Sequence, residues 1–330
     1  MKLATLRNGR PDGRLVLVSR DLDSMCPADD IAPTLQAALD DVGVTWPALL
    51  DRSDKLNARR VSTVEPFDTS RALSPLPRAY QWCDGSVYPA HMERMCRWRD
   101  MPLQEDFTVE PYMYQGASDG FLAPTEDIPA VSEDWGIDYE AEIAIVTHEV
   151  PYGVPTASAP AHIALVLLCN DVSLRNLIPS ELAKGFGFVQ SKPASSFSPV
   201  AVTPDELGDA WRNCRLHRPL LSDVNGERFG DPDAGAMAHG FDRLISHAAK
   251  TRRLAAGTLI GSGTVASSDP ARGTSCIIER RILEILRNGT ARTPFLRFGD
   301  RVRIEMLDGA GRTIFGAIDQ KVVRAAGVTP

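Results

Sequence analysis

The sequence has no apolar run long enough to cross a membrane. The longest, Ile163 to Cys169, falls far short of the roughly 20 residues that a bilayer span needs. It has no basic excess: 36 Lys and Arg face 43 Asp and Glu, a formal net charge of −7, which excludes the electrostatic footprint of a nucleic-acid binder. The opening MKLATLRNGRPDGR has no apolar h-region and predicts no secretory signal. Six scattered cysteines (26, 83, 96, 169, 214 and 276) form no C-x-x-C pair and read as reduced thiols of a cytoplasmic protein. There is no G-x-x-x-x-G-K-[ST], no H-E-x-x-H and no G-x-S-x-G. Gly261-Ser-Gly-Thr264 lacks the third glycine and the βαβ setting of a dinucleotide loop. Internal repeats and low-complexity tracts are missing too.

What remains is an ordinary soluble globular composition, with 43% hydrophobic and 24% charged residues over 330 positions. Such a chain buries a core without disulfides or structural metals, so a metal site in it would be functional. Residues 2–7 and 15–19 read as a hairpin around the turn-rich NGRPDGR. Pro33 to Leu56 has helical spacing, with Gly43 and Pro47 expected to divide it into two helices. The polar, proline-spotted stretch from Val61 to Pro77 reads as a linker. It separates a small N-terminal domain (1–77) from a catalytic domain (78–330). Pro89 to Arg99 and Gly235 to Arg253 are expected helices, and Thr203-Pro-Asp-Glu206 has the form of a capping box. Asn225-Gly226 and Asp308-Gly309 mark hairpins. Strands and helices do not alternate regularly, which favours a β-rich α+β fold over a doubly wound parallel sheet.

The most informative stretch runs from Gly136 to Val146. Its period-two alternation predicts a strand with Asp138, Glu140 and Glu142 on one face, continued by Ala144 and Val146. Like charges so close repel, and burying them unpaired is costly. A divalent cation removes both objections; an edge strand with a solvated acidic face is the other reading. From this strand alone the two stand level. Asp171 follows an apolar run, where sheet proteins place site residues, although Asn-Asp is also a common turn. Asp84 precedes a turn, and His91 lies on the helix after it. A lone histidine is usually structural or superficial; beside an acidic metal site it becomes a candidate base. Four carboxylates with no cysteine among them favour Mg²⁺, with Mn²⁺ or Ca²⁺ as alternatives, over Zn²⁺.

Together these segments resemble the fumarylacetoacetate hydrolase family over roughly 78–330, in family order. They are the Glu140-x-Glu142 strand, Asn170-Asp-x-Ser-x-Arg175, the Lys192 to Pro199 segment and the Gly-Ser-Gly-Thr turn. The resemblance implies an α+β, mixed-sheet catalytic domain behind a small N-terminal α+β domain. It implies Asp84, Glu140, Glu142 and Asp171 as metal ligands. His91 would activate water, Glu279 would orient His91, and Lys192 would stabilise developing negative charge. Arg175, Tyr114, Thr264 and Ser86 fall at substrate-binding positions. Two depart from the pattern: Ser86 stands in place of a tyrosine and Ile178 in place of a glutamine, with Glu181 on the next turn able to reach in. Asp138 has no matching role and is expected either to support the metal ligands from behind or to be a salt-bridge partner. The implied activity is metal-dependent carbon–carbon hydrolysis of a 1,3-diketo acid, fumarylacetoacetate first, by a cytoplasmic homodimer with no nucleic-acid or membrane partner. Acylpyruvate or fumarylpyruvate hydrolysis, oxaloacetate decarboxylation and a non-catalytic binding protein of the same fold are the alternatives.

Overall fold

The computed structural model describes residues 1–98, 100, 102, 103 and 105–327. The expected first hairpin forms: β1 (Lys2–Leu6) pairs antiparallel with β2 (Arg14–Val18), which β3 (Ser24–Pro27) then joins. Helices α1 (Leu35–Asp40) and α2 (Val42–Asn57) follow. The break between them falls at Asp41, not at Gly43 or Pro47, both of which lie inside α2. Asp41 leaves helical geometry to close one helix and open the next, while Thr45 ties the corner through its hydroxyl to the carbonyls of Ala38 and Asp41.

Next come β4 (Trp82–Gly85), α3 (Pro89–Trp98), β5 (Met113–Gly116) and β6 (Ile128–Ala130). Arg99, the last residue of the helix expected from the sequence, lies outside the described residues. The acidic segment is β7 (Ile137–Asp138) and β8 (Ala141–Thr147), and the apolar run is β9 (Ile163–Asn170). Then follow α4 (Ile178–Leu182), β10 (Ala201–Val202) and the hairpin β11 (Leu221–Val224) and β12 (Glu227–Gly230) at Asn225-Gly226. The last elements are α5 (Phe241–Ala248), β13 (Leu259–Gly261), α6 (Ile277–Asn288), β14 (Arg301–Glu305) and β15 (Ile318–Arg324).

Beyond a short outer strand, Glu65–Pro66, that pairs with β3, the main sheet runs β3-β2-β1-β10-β9-β8-β13-β4-β5. Its pairs are antiparallel except β13 with β4. The N-terminal strands are thus hydrogen-bonded into the sheet that carries the acidic strand. A second sheet runs β12-β11-β14-β15-β6. The mixture is the β-rich α+β class, with β8 and β9 buried along their whole length as central strands, and their Ile, Val and Leu runs suit that setting. No helix among the described residues is long and apolar enough to cross a membrane.

Two local expectations are corrected. Thr203 and Glu206 do not form a capping box. The Met1 amino group donates to the Thr203 hydroxyl at 2.5 Å and pairs with Glu206 at 3.0 Å, so both side chains are already engaged. The helix expected from Gly235 begins only at Phe241 and ends at Ala248, because Arg215 ties the carbonyls of Met237 and Ala238 into a loop.

The turn after β13 shows why its glycines are needed. A Cβ on Gly261 would lie 2.2 Å from Asp84 Oδ1 and 2.4 Å from the Trp82 ring. Gly263 has φ of +77°, and a Cβ there would meet the Gly85 carbonyl at 2.4 Å. Gly261→Ala is therefore expected to cost about 1–3 kcal/mol, the range for forced overpacking, in urea unfolding. Gly309→Ala, where a Cβ meets nothing within 4 Å, serves as the control and should change stability by less than about 0.5 kcal/mol.

Candidate active site

Adjacent strands bring three acids together. Asp84 lies on β4, Glu142 on β8 beside β13, and Asp171 directly follows β9, with its N–H donating to the Glu140 carbonyl. Oxygens of Asp84, Glu142 and Asp171 lie within 4.8 Å of one another, and all three residues are buried. The reading of a solvated edge strand is excluded: β8 lies between β9 and β13, and Glu142 is 0% exposed.

The cluster is unevenly satisfied. Asp171 accepts from Tyr114 at 2.5 Å, Lys192 at 2.6 Å and Ser195 at 2.7 Å. Asp84 accepts from the Gly263 amide at 3.1 Å. Among the described residues neither oxygen of Glu142 has a hydrogen-bond partner. Burial, then the Asp171 charge beside it, pushes the Asp84 carboxyl up to about 8. Burial, then Asp84 and Asp171, raises Glu142 well above the usual carboxylate range. Buried acids left this way call for a counter-charge, and an all-oxygen set suits a hard divalent cation. The residues present therefore fit such an ion.

Glu140 lies outside that group. The predicted continuous strand breaks at residues 139–140, and Glu140 turns to Arg175 at 2.8 Å and to Lys192. Burial opposes its ionisation, but Arg175 and Lys192 hold it well below the usual range. Lys192 bridges Glu140 and Asp171, whose charges overcome burial and raise the ammonium group's pKa. Asp138 leaves the predicted acidic face. It pairs with Arg175 at 2.8 Å and accepts from the Ile277 and Ile278 amides at the start of α6, at 2.7 and 2.9 Å.

Across the same cavity, His91 Nδ1 meets Glu279 Oε2 at 2.9 Å, which leaves Nε2 for the cavity the residue lines. The other Glu279 oxygen accepts from Arg94, which also donates to the Ser267 carbonyl at 2.6 Å. Sequence reasoning missed Arg94. Its only signal is its spacing, one turn on from His91 along α3, which puts both on one helix face. Thr264 lines the cavity, and Ser86 donates to the Met92 sulfur at 3.0 Å. Glu181 does not reach in: it accepts from the amides of Val189, Gln190 and Ser191 and from the Ser191 hydroxyl.

With this geometry in place, the comparisons define the class. The Fumarylacetoacetate (FAA) hydrolase C-terminal family matches residues 81–323, and Fumarylacetoacetase N-terminal domain 2 matches residues 1–78. The chain belongs to the fumarylacetoacetate hydrolase family. Among curated relatives, it is 28% identical to 2,4-didehydro-3-deoxy-L-rhamnonate hydrolase of Sphingomonas sp. (strain SKA58), over 51% of this chain and 58% of that protein. It is 25% identical to the mitochondrial oxaloacetate tautomerase FAHD2B of Bos taurus, over 55% of this chain and 54% of that protein. The chain thus spans little more than half the length of these two relatives. Maleylpyruvate hydrolase from Sphingobium sp. SYK-6, solved with manganese(II) and pyruvate, has the same fold. Its TM-score is 0.66 at 15% identity, covering 98% of this chain and 100% of that one.

The charge arrangement makes a pH prediction. Asp84 and Glu142 have folded-state pKa values raised above their unfolded values, so their contribution to stability is full below the unfolded values. It is lost as pH rises through the folded ones. The metal-free protein should therefore lose thermal stability as pH climbs from about 4 to about 8, and Glu142→Gln should flatten the loss. A melting-temperature series over that range checks both.

Proposed function

We propose that the chain is a divalent-metal-dependent hydrolase that cleaves the carbon–carbon bond of a 1,3-diketo acid; fumarylacetoacetate is the member its sequence resemblance implies. One observation carries this reading. The unpartnered Glu142 carboxylate and Asp84 line a cavity that His91, held by Glu279, also lines, and an Asp171 oxygen lies within 4.8 Å of theirs. Asp84, Glu142 and Asp171 would hold the ion, with Glu140 beside them. The manganese in the maleylpyruvate hydrolase structure supports a divalent ion of this kind. When bound, the ion supplies Lewis-acid polarisation of the two substrate oxygens.

The protein's own groups supply the rest. Glu279 holds His91 by Nδ1–H, so that Nε2 can take a proton from water. The hydroxide equivalent adds to the carbonyl carbon, and Lys192 Nζ offers fixed positive charge to the oxyanion. The bond between that carbon and the central CH₂ then breaks. One fragment leaves as a carboxylic acid, and the other leaves as an enolate. The enolate takes the proton back from His91 to become a ketone, so one water is consumed and nothing is oxidised.

A second reading has support of its own. The same pair could move a proton between carbon and oxygen without adding water, as tautomerisation requires, and a curated relative is an oxaloacetate tautomerase. His91→Ala is expected to lower kcat for diketo-acid hydrolysis by about 10²–10⁴-fold. Its affinity for Mn²⁺ by calorimetry should be unchanged, whereas Asp84→Ala should lose ion and activity together. Hydrolysis that persists in His91→Ala, or after exhaustive chelation of the wild type, overturns the reading. Enol–keto exchange of oxaloacetate with no hydrolysis in the wild type replaces it with the tautomerase.

A further inference from the structure

The cavity has a volume of about 320 Å³ and two chemically different ends. One end holds the carboxylates, Lys192 and Arg175. The other is lined by Met92 and Met95 from α3, Met113 from β5, Ile178 and Leu182 from α4, and Phe188, with Tyr112 a further aromatic residue there. Phe188 meets Tyr114 edge-on, with ring centroids 4.9 Å apart. Leu182 is 45% exposed and marks the rim.

The two ends differ sharply in what they can bind. Among the described residues lining the cavity, the permanent cations are Lys192 and Arg175, and both stand beside the carboxylates. Lys192 is held by Glu140 and Asp171, and Arg175 by Asp138 and Glu140, all within the acidic end. No cationic side chain stands among the six apolar residues. The Ser86 hydroxyl donates to the Met92 sulfur. A carboxylate pushed among these residues would lose hydration with no cation among the described lining residues there to replace it. An alkyl or aryl group there gains burial, and methionines adapt to its shape.

We propose that the substrate is a 2,4-diketo acid with an apolar distal acyl group, an acylpyruvate in which R–CO–CH₂–CO–COO⁻ carries a hydrocarbon R. The diketo-acid head lies at the carboxylate end and R lies among Met92, Met95, Met113, Ile178, Leu182 and Phe188. Hydrolysis then gives R–COOH and pyruvate, with one water consumed. This rests on the hydrolase reading above and narrows it away from dicarboxylates such as fumarylacetoacetate.

A matched pair tests it: 2,4-dioxoheptanoate, ending in a methyl, and 2,4-dioxoheptanedioate, the same chain ending in a carboxylate. With the Mn²⁺-loaded full chain, kcat/KM is expected to be at least about 10-fold higher for the methyl compound, and Met95→Arg should erase or invert the preference. Equal or better cleavage of the dicarboxylate by the wild type overturns the proposal, whatever the variant does. Binding separates this from the reaction itself. The loaded protein is titrated calorimetrically with 2-oxohexanoate and with 2-oxohexanedioate, another methyl and carboxylate pair. If neither diketo acid is cleaved but 2-oxohexanoate binds at least about 10-fold more tightly, the hydrolase reading falls and the apolar-end assignment stands. If the dioate binds as well, or neither binds, the assignment falls.

Discussion

The arrangement depends on one constraint: too much negative charge is buried in one place. Asp84, Asp138, Glu140, Glu142 and Asp171 are all buried, and the permanent cations in direct contact with them are Lys192 and Arg175. Those two cations engage Asp138, Glu140 and Asp171; among the described residues no cation pairs with Asp84 or Glu142, and Asp84 accepts from the Gly263 amide. A folded chain tolerates this only if the two acids take up protons or if a cation enters. Structural ion pairing alone would have matched the charges. The mismatch is confined to one cavity wall, as a loading site requires.

The sheet makes that mismatch possible. Glu142 is fixed by strands on both sides, and Asp84 is brought against it by the parallel pairing of β4 with β13, where Gly261 stands opposite Asp84. A side chain at Gly261 would occupy the space of the Asp84 carboxylate, so the glycine turn shapes the acidic site directly. On the opposite wall, α3 and α6 are joined through one buried carboxylate. Glu279 takes His91 on one oxygen and Arg94 on the other. His91 and Arg94 thus share one buried carboxylate, which fixes both side chains on the same face of α3.

The sequence revealed these features unequally. Alternation from Gly136 to Val146 located Glu140 and Glu142, and the Gly-Ser-Gly-Thr turn was visible as a unit, because both rest on local geometry. The break at residues 139–140 was not visible. It depends on the start of α6 supplying the Ile277 and Ile278 amides to Asp138, and those residues are far away in sequence. Alternation alone therefore put Asp138 and Glu140 with Glu142, whereas long-range partners draw both aside. Arg94 left no signal because its partner Glu279 is 185 positions away. Thr203-Pro-Asp-Glu206 matched a capping box but is engaged by the Met1 amino group, a contact that no local pattern encodes.

The resemblance also proves uneven along the cavity, and the unevenness has a direction. Every position at the acidic end carries the residue the family pattern implies. The two departures, Ser86 for tyrosine and Ile178 for glutamine, both line the cavity, and Ile178 stands in its apolar wall. Glu181, which could have replaced the lost polar group, is consumed by the amides of residues 189–191. Burial resists its ionisation, but the Ser191 hydroxyl and those amides pull its pKa down to about 2, so it remains a charged loop clamp. Of the two departures, only position 178 puts an apolar side chain where the resemblance implies a polar one.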